Sequence, residues 1–282
     1  MKDYSLSKYL GFAFLMAWMA TAALAQPASL VPGQRQVVDA PAPKEKFHLY
    51  LLAGQSNMAG RGTVNPADTA SNPHILRLNR DGEWEIAKEP LHFDKDMAGV
   101  GPGLSFAKEM LLQDSSVFIG LIPCAAGGSS IDNWLYDRYW EQTRSYPWNN
   151  ALLRTRLAMA GGSLKGILWH QGEADASAEK LATYQDKLVL LVQKFRSALG
   201  QAELPFIAGE LPSFNKAASA FNILLPEAKK QLSFFGIVSG AGLSPLPDGI
   251  HIDTDSQRLF GQRYAAKMGE MTVQAAGTIE LK

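Results

Sequence analysis

Five short apolar runs, each delivered into a turn or a polar loop, constrain this chain more than any other feature. They are FHLYLLA at 47–53, SVFIGLIPCA at 116–125, GILWHQ at 166–171, PFIAGEL at 205–211 and FGIVSGA at 235–241. None alternates apolar with polar as a strand wetted on one face does, so each reads as a strand buried on both faces. Amphipathic stretches lie between them. Residues 177–199 set Leu181, Tyr184, Leu188, Leu191, Phe195 and Leu199 at intervals of three and four, with Lys180, Lys187 and Lys194 off that stripe; this is the period of a helix with one buried face. Residues 103–113, 148–160, 217–233 and 254–271 are expected to be further helices, the last opening on Thr254-x-x-Gln257, a capping-box pattern. Strand and helix in alternation imply an α/β fold, a mostly parallel sheet covered by helices on both faces, in one domain. The stretch ILRLNRDGEWEIA at 75–87 reads as a small hairpin turning at Asp81-Gly82, inserted beside the main sheet.

The amino-terminal residues follow another rule. Lys2 and Lys8 precede an apolar run from Leu10 to Leu24, and Ala23-Leu24-Ala25 has the small-x-small form of a cleavage site. Residues 1–25 therefore read as an export signal, the rival being an uncleaved anchor; the run is short for a membrane span, so no stable span is expected after cleavage. Residues 26–46, rich in Pro, Ala and Gln, read as a flexible linker, with order beginning near Phe47. The folded domain is then 47–282. Export and the absence of any Asn-x-Ser/Thr sequon fit a secreted or periplasmic bacterial protein. One cysteine, Cys124, rules out an intramolecular disulfide. The formal net charge is zero, which lacks the basic field a nucleic-acid partner requires.

In a parallel α/β sheet, ligands bind at the carboxyl ends of the strands. The first strand opens into GQSNMAGRG, placing Ser56 on a tight exit, although Met58 replaces the second glycine of a G-x-S-x-G elbow. Taken alone, a serine after a strand is more often a turn former or helix cap. A hydroxyl nucleophile needs a base, and PLPDGIHID sets Asp248 three residues before His251, so that a carboxylate is able to curl back onto the imidazole Nδ1 and leave Nε2 as base. The bland alternative is a solvated surface loop. Gly127-Gly128 in PCAAGGSSIDNW offers bare backbone N–H groups, or simply a turn. LWHQGEAD delivers His170, Gln171 and Glu173 directly after an apolar strand; a structural His170 is favoured over a metal ligand, since no second His or Cys stands at zinc-like spacing.

Taken in order, GQSNMAGRG, GPGLSFAKEM, PCAAGGSSIDNW, WHQGEAD and DGIHID followed by SQRLFGQRYA resemble the sialate O-acetylesterase and carbohydrate esterase family six group of the SGNH-hydrolase superfamily. The resemblance runs from about Phe47 to Met268. It implies a three-layer, flavodoxin-like fold and an esterase acting on acetylated carbohydrate without a cofactor or metal. Residue by residue, it implies Ser56 as nucleophile, His251 as general base and Asp248 as its orienting partner. The Ser56 N–H, an N–H of Gly127 or Gly128, and the Gln171 side-chain amide would form the oxyanion hole. Gln55, Asn57, His170 and Glu173 would support it.

Residues 133–149 hold Trp134, Tyr136, Tyr139, Trp140, Tyr146 and Trp148. Trp134, Tyr136 and Trp140 are candidates for a sugar platform, and an inward-packed lid is the equal alternative. Three rivals stand beside the acetylesterase reading: a non-catalytic carbohydrate-binding protein, a lipase or thioesterase, and a metal hydrolase using His170, Glu173 and Asp175.

Overall fold

The computed structural model describes residues 35–279, with side chains as far as Val273. The residues expected to form the export signal, and 26–34 of the expected linker, lie outside those described. Among the described residues eight strands form one sheet: β1 (Val37–Val38), β2 (Phe47–Gly54), β3 (Ile75–Leu78), β4 (Trp84–Ile86), β5 (Phe118–Pro123), β6 (Ser163–His170), β7 (Phe206–Gly209) and β8 (Phe235–Val238), in the order β1-β4-β3-β5-β2-β6-β7-β8. From β3 through β5, β2, β6 and β7 to β8 every pairing is parallel; only β4 runs against its neighbours β3 and β1. This is the mixed, mostly parallel α/β sheet that the apolar runs imply.

The helices are α1 (Ser56–Ala59), α2 (Pro102–Gln113), α3 (Ile131–Leu135), α4 (Pro147–Met159), α5 (Ala178–Leu199), α6 (Ala218–Asn222), α7 (Leu224–Lys229) and α8 (Thr254–Ile279). They form two outer layers, and β2 shows why its sequence is apolar at every position. Leu49, Leu51 and Ala53 join Trp134, Trp148, Trp169, Phe195 and Phe206 under α3, α4 and α5. Tyr50 and Leu52 face the other way, into Phe106, Phe260, Tyr264 and Met268 of α2 and α8. A strand with two buried faces has no polar position to spare. Helix α5 ends as its sequence implies: Gly200 takes a left-handed φ of 68° and its N–H returns to the Arg196 carbonyl.

Four expectations need correction. Residues 75–87 do turn as a hairpin, but β3 pairs in parallel with β5, so the hairpin extends the main sheet instead of standing beside it. Within the expected linker, residues 37–38 form β1 on β4, and Arg35 donates to the carbonyls of Lys88 and Pro90; order therefore begins before Phe47. The helix expected over 217–233 is two short helices broken at Ile223. Pro226 explains the break, because it has no N–H for the Asn222 carbonyl and its ring crowds that oxygen. Finally, Asp253 caps α8 through its Oδ1, which accepts the Ser256 N–H at 2.8 Å, while Thr254 and Gln257 bond elsewhere, to the carbonyls of Thr63 and Asn57.

The chain runs from β2 outward to β3 and back to β5, then crosses to β6 on the other side of β2. The carboxyl ends of β5, β2 and β6 thus meet at the point where the winding reverses, the usual place for a ligand crevice.

Candidate active site

Three strand ends converge there. β2 leaves the sheet through Gly54 at φ 131°, a conformation suited to glycine; a Cβ there would stand 2.0 Å from the His170 carbonyl oxygen. The next residue, Gln55, donates its N–H to that same carbonyl at 2.9 Å. The chain then enters α1 at Ser56, which is 7% exposed. An N–H in the first turn of a helix has no intrahelical partner, so the sequence delivers a hydroxyl and a backbone donor from one residue.

Asn57 joins this exit to the last loop of the fold. Its Oδ1 accepts the Ile252 N–H at 2.9 Å, and its Nδ2 lies 3.4 Å from the Ile250 carbonyl oxygen, so it holds both flanks of His251. Gln257 of α8 donates to the Asn57 carbonyl at 3.0 Å. The loop carrying His251 is closed by the Leu246 N–H on the His251 carbonyl, 2.7 Å, and by Gly249 on Leu246, 2.9 Å. Within it, Asp248 Oδ2 is 2.6 Å from His251 Nδ1, and Oδ1 accepts the N–H groups of Ile250 and His251 at 2.8 and 2.9 Å. Partial desolvation opposes ionisation of Asp248. The hydrogen bonds from the His251 backbone, its ring and Ile250 outweigh that and bring the carboxyl down to about 2.

Beneath this layer Glu173 accepts Asn57 Nδ2 at 2.6 Å and lies 3.4 Å from His170 Nε2. Burial works against its charge, but His170 and the Asn57 amide hold its carboxyl below the usual range. His170 is wholly buried, edge-on to Phe260. Among the described residues neither of its ring nitrogens meets a hydrogen-bond partner in good geometry; Glu173 is the charged group beside it. Asp175 accepts the Ile131 N–H at 2.8 Å and the Gln171 amide at 2.6 Å; its carboxylate is part of the scaffold. Among the described residues no cluster of His, Cys, Asp and Glu is arranged to hold a metal ion.

The oxyanion expectation changes in two places. Gln171 is 0% exposed. Its Nε2 donates to Asp175, with the Gln55 Oε1 and Ser129 carbonyl each at 3.2 Å, and its Oε1 accepts the Tyr184 hydroxyl at 2.8 Å. An amide so placed has both its nitrogen and its oxygen engaged by protein groups and organises the floor of the site. Of the two glycines, the Gly127 N–H donates to Asp94 Oδ2 at 2.9 Å. Gly128 stands at φ 81° in the turn closed by the Ser129 N–H on the Ala126 carbonyl, and among the described residues its N–H meets no acceptor.

The aromatic segment divides. Trp134 is 0% exposed, donates to Ser129 Oγ and packs edge-on to Trp169, so it belongs to the core and not to a sugar platform. Trp148 is buried against Phe195. Trp140 is half-buried with its Nε1 on the Gly127 carbonyl, 3.0 Å. Tyr136, Tyr139 and Tyr146 remain exposed. Cys124 is buried, which pushes its thiol up to about 11 and keeps it unreactive. Two residues that the sequence does not single out stand at the site: Arg61, inside GQSNMAGRG, and Asp94, in an irregular loop with no spacing signal.

Comparison with known proteins agrees with this architecture. Residues 46–270 match the family described as carbohydrate esterase, sialic acid-specific acetylesterase. The "Probable carbohydrate esterase At4g34215" of Arabidopsis thaliana is 33% identical over 266 residues, 84% of this chain and 95% of that protein. Its crystal structure superposes with a TM-score of 0.71 at 31% identity, covering 79% of this chain and 98% of that one. NanS shares the fold at a TM-score of 0.65 and 19% identity, over 82% of this chain and 99% of its own. So does XAC1771, a carbohydrate acetylesterase from Xanthomonas citri, at 0.61 and 20%, over 77% of this chain and 55% of its own. The chain belongs to the sialic acid-specific acetylesterase family and is a carbohydrate esterase.

Proposed function

We propose that this protein is an exported serine esterase that removes acetyl groups from carbohydrate, with Ser56, His251 and Asp248 as its triad. The observation that carries this reading is the grip of Asn57, the residue beside Ser56, on both flanks of His251. It ties the loop of His251, 195 positions along the chain, to the residue that follows Ser56, which supports the pairing of nucleophile and base, and Asp248 on Nδ1 favours the tautomer that leaves Nε2 to accept a proton.

In the first half-reaction Ser56 Oγ attacks the acetyl carbonyl carbon while His251 Nε2 takes the hydroxyl proton. The N–H groups of Ser56 and Gly128 hold the oxyanion. Collapse of the tetrahedral adduct breaks the bond to the sugar oxygen, which leaves with the proton from His251, and Ser56 carries the acetyl group. Water, deprotonated by His251, then attacks the acetyl carbon; acetate departs and the proton returns to Ser56.

Family membership supports an acetylated glycan as substrate, of the sialic-acid or acetylxylan type. The exposed Tyr136, Tyr139 and Tyr146 supply aromatic faces suited to sugar rings. Acetate release from a panel of acetylated sialic acids, xylans and other glycans tests this reading, with Ser56→Ala beside the parent. Release by the parent and none by the variant is expected. Equal release by both would remove Ser56 as nucleophile, and cleavage of octanoyl esters in preference to acetyl esters would remove the acetylesterase assignment.

A further inference from the structure

Arg61 and Asp94 form an ion pair at 2.8 Å with side chains each only 3% exposed. Burying two charges costs several kcal/mol of desolvation per ion, and apolar residues of similar volume often serve stability as well. A pair retained in such a place is therefore better accounted for by what it positions.

Its contacts point to one object. Asp94 Oδ2 accepts both Arg61 Nη2 and the Gly127 N–H, at 2.8 and 2.9 Å. Arg61 Nη1 donates to the Gly60 carbonyl at 2.7 Å, and Gly60 in turn donates its N–H to the Ser56 carbonyl. On its far side, Gly127 offers its carbonyl to Trp140 Nε1 at 3.0 Å. The fit excludes any side chain at 127, where a Cβ would stand 2.6 Å from Arg61 Nη2 and 2.7 Å from Asp94 Oδ2. The peptide groups on either side of Gly127 are thus fixed by Asp94 and Trp140, and the next amide in the chain is that of Gly128.

We propose that the Arg61–Asp94 pair is a positioning device for the oxyanion turn: it locks Gly127 relative to the Ser56 helix and thereby aims the Gly128 N–H at the developing oxyanion. This rests on the serine-esterase reading above. Neither residue touches the ester; both act through Gly127. A misplacement of about 1 Å costs up to about 100-fold in rate.

The test uses the whole enzyme and 4-nitrophenyl acetate, with Asp94→Asn and the double variant Arg61→Met/Asp94→Leu. In Asp94→Asn the amide oxygen takes the place of Oδ2 without its charge and the amide nitrogen confronts Arg61 Nη1, which meets Oδ1 at 3.4 Å in the parent, so the hold on Arg61 and Gly127 is weakened. In the double variant, apolar side chains keep the volume without anchoring Gly127. Both are expected to lose about 10- to 100-fold in kcat with KM within about threefold of the parent. Inactivation of Ser56 by 4-nitrophenyl diethyl phosphate, whose phosphoryl oxygen needs the same donors, should slow by a similar factor. Activity is normalised to folded protein from the thermal transition. A kcat within threefold of the parent in folded Asp94→Asn overturns the proposal, as does a loss that only tracks the folded fraction. If Ser56→Ala is as active as the parent, the esterase reading fails and takes this assignment with it. If Ser56→Ala is inactive while Asp94→Asn keeps its kcat, only the positioning role fails.

Discussion

Asn57 and Ile252, 195 positions apart in the chain, share a buried hydrogen bond of 2.9 Å from the Ile252 N–H to Asn57 Oδ1. That bond and the contact to the Ile250 carbonyl make the placement of His251 depend on Asn57, a wholly buried side chain. Asn57→Ala strands the Ile252 N–H and one acceptor position of Glu173. A buried group left without its partner costs about 1–3 kcal/mol. Thermal unfolding should register that loss, and kcat on 4-nitrophenyl acetate should fall by about 10-fold or more while Ser56 stays in place. Unchanged kcat and stability would show that the clasp is idle.

Asp248 is half-exposed, so in the proposed triad its part is orientation more than stability. With its carboxyl down at about 2, against an ordinary value of 3.8, it is ionised wherever an imidazole base operates. A depressed carboxyl stabilises the fold above the unfolded value and loses that contribution as pH falls from about 3.8 toward about 2. Asp248 therefore leaves the stability profile flat between pH 5 and 8, and an acid limb in the rate there belongs to another group. Asp248→Asn keeps the loop but favours the wrong imidazole tautomer. In serine proteases the like change costs about 10⁴ in kcat. A fall of that order with an unchanged melting temperature is expected; a loss below tenfold would count against Asp248 as the orienting group.

Gln171 offers a test that separates floor from donor. Removal of a true oxyanion donor lowers kcat by about 100- to 1000-fold and leaves the fold unaltered. Gln171→Ala, by contrast, strips hydrogen bonds from Tyr184, Asp175, Gln55 and Ser129 at once, so its rate loss should come with a clear drop in melting temperature. Lost turnover at full stability would return Gln171 to the oxyanion hole.

Glu89 governs a different pH response. Wholly buried, it is pushed up to about 8 by desolvation, against the N–H groups of Leu91 and Gly101 that favour its charge. A carboxyl raised in the folded state contributes stability that is complete below the unfolded value, about 4.5, and is lost as pH rises through about 8. His92 works at the other end. Desolvation lowers it to about 4, so its contribution is present above about 6.5 and disappears as pH falls toward 4. Denaturant unfolding of Glu89→Gln and parent between pH 5 and 8 should show the parent losing stability relative to the variant as pH rises, by about 1.4 kcal/mol per pH unit. Parallel curves would mean that Glu89 is not protonated in the fold.

The strands at the heart of the sheet were legible because burial on both faces leaves an unbroken apolar run, as in 47–53. The edge was not. Val37-Val38 is too short to carry a period, and only Trp84 and Glu85 across from it make it a strand. The break in 217–233 was written in Pro226, where apolar periodicity outweighed the missing N–H. At the site, the contact of Asp248 with His251 was within reach of local spacing, since the two are three residues apart, whereas spacing alone said little of Ser56, which the ordered family-like blocks brought forward. Asp94 meets Gly127 across 33 positions from an irregular loop, and no local pattern records such a contact. Composition also failed to separate Trp134, which lies under the sheet, from the exposed Tyr136 two residues on.

The proposed pairing of Ser56 with His251 is tested most directly by locating a covalent adduct. The protein is treated with 4-nitrophenyl diethyl phosphate, digested, and mapped by mass spectrometry, with His251→Ala in parallel. One diethyl phosphoryl group per chain on Ser56 of the parent is expected, formed at least about 100-fold more slowly in His251→Ala. An adduct on another residue, or labelling of Ser56 at an equal rate in both proteins, would contradict the account.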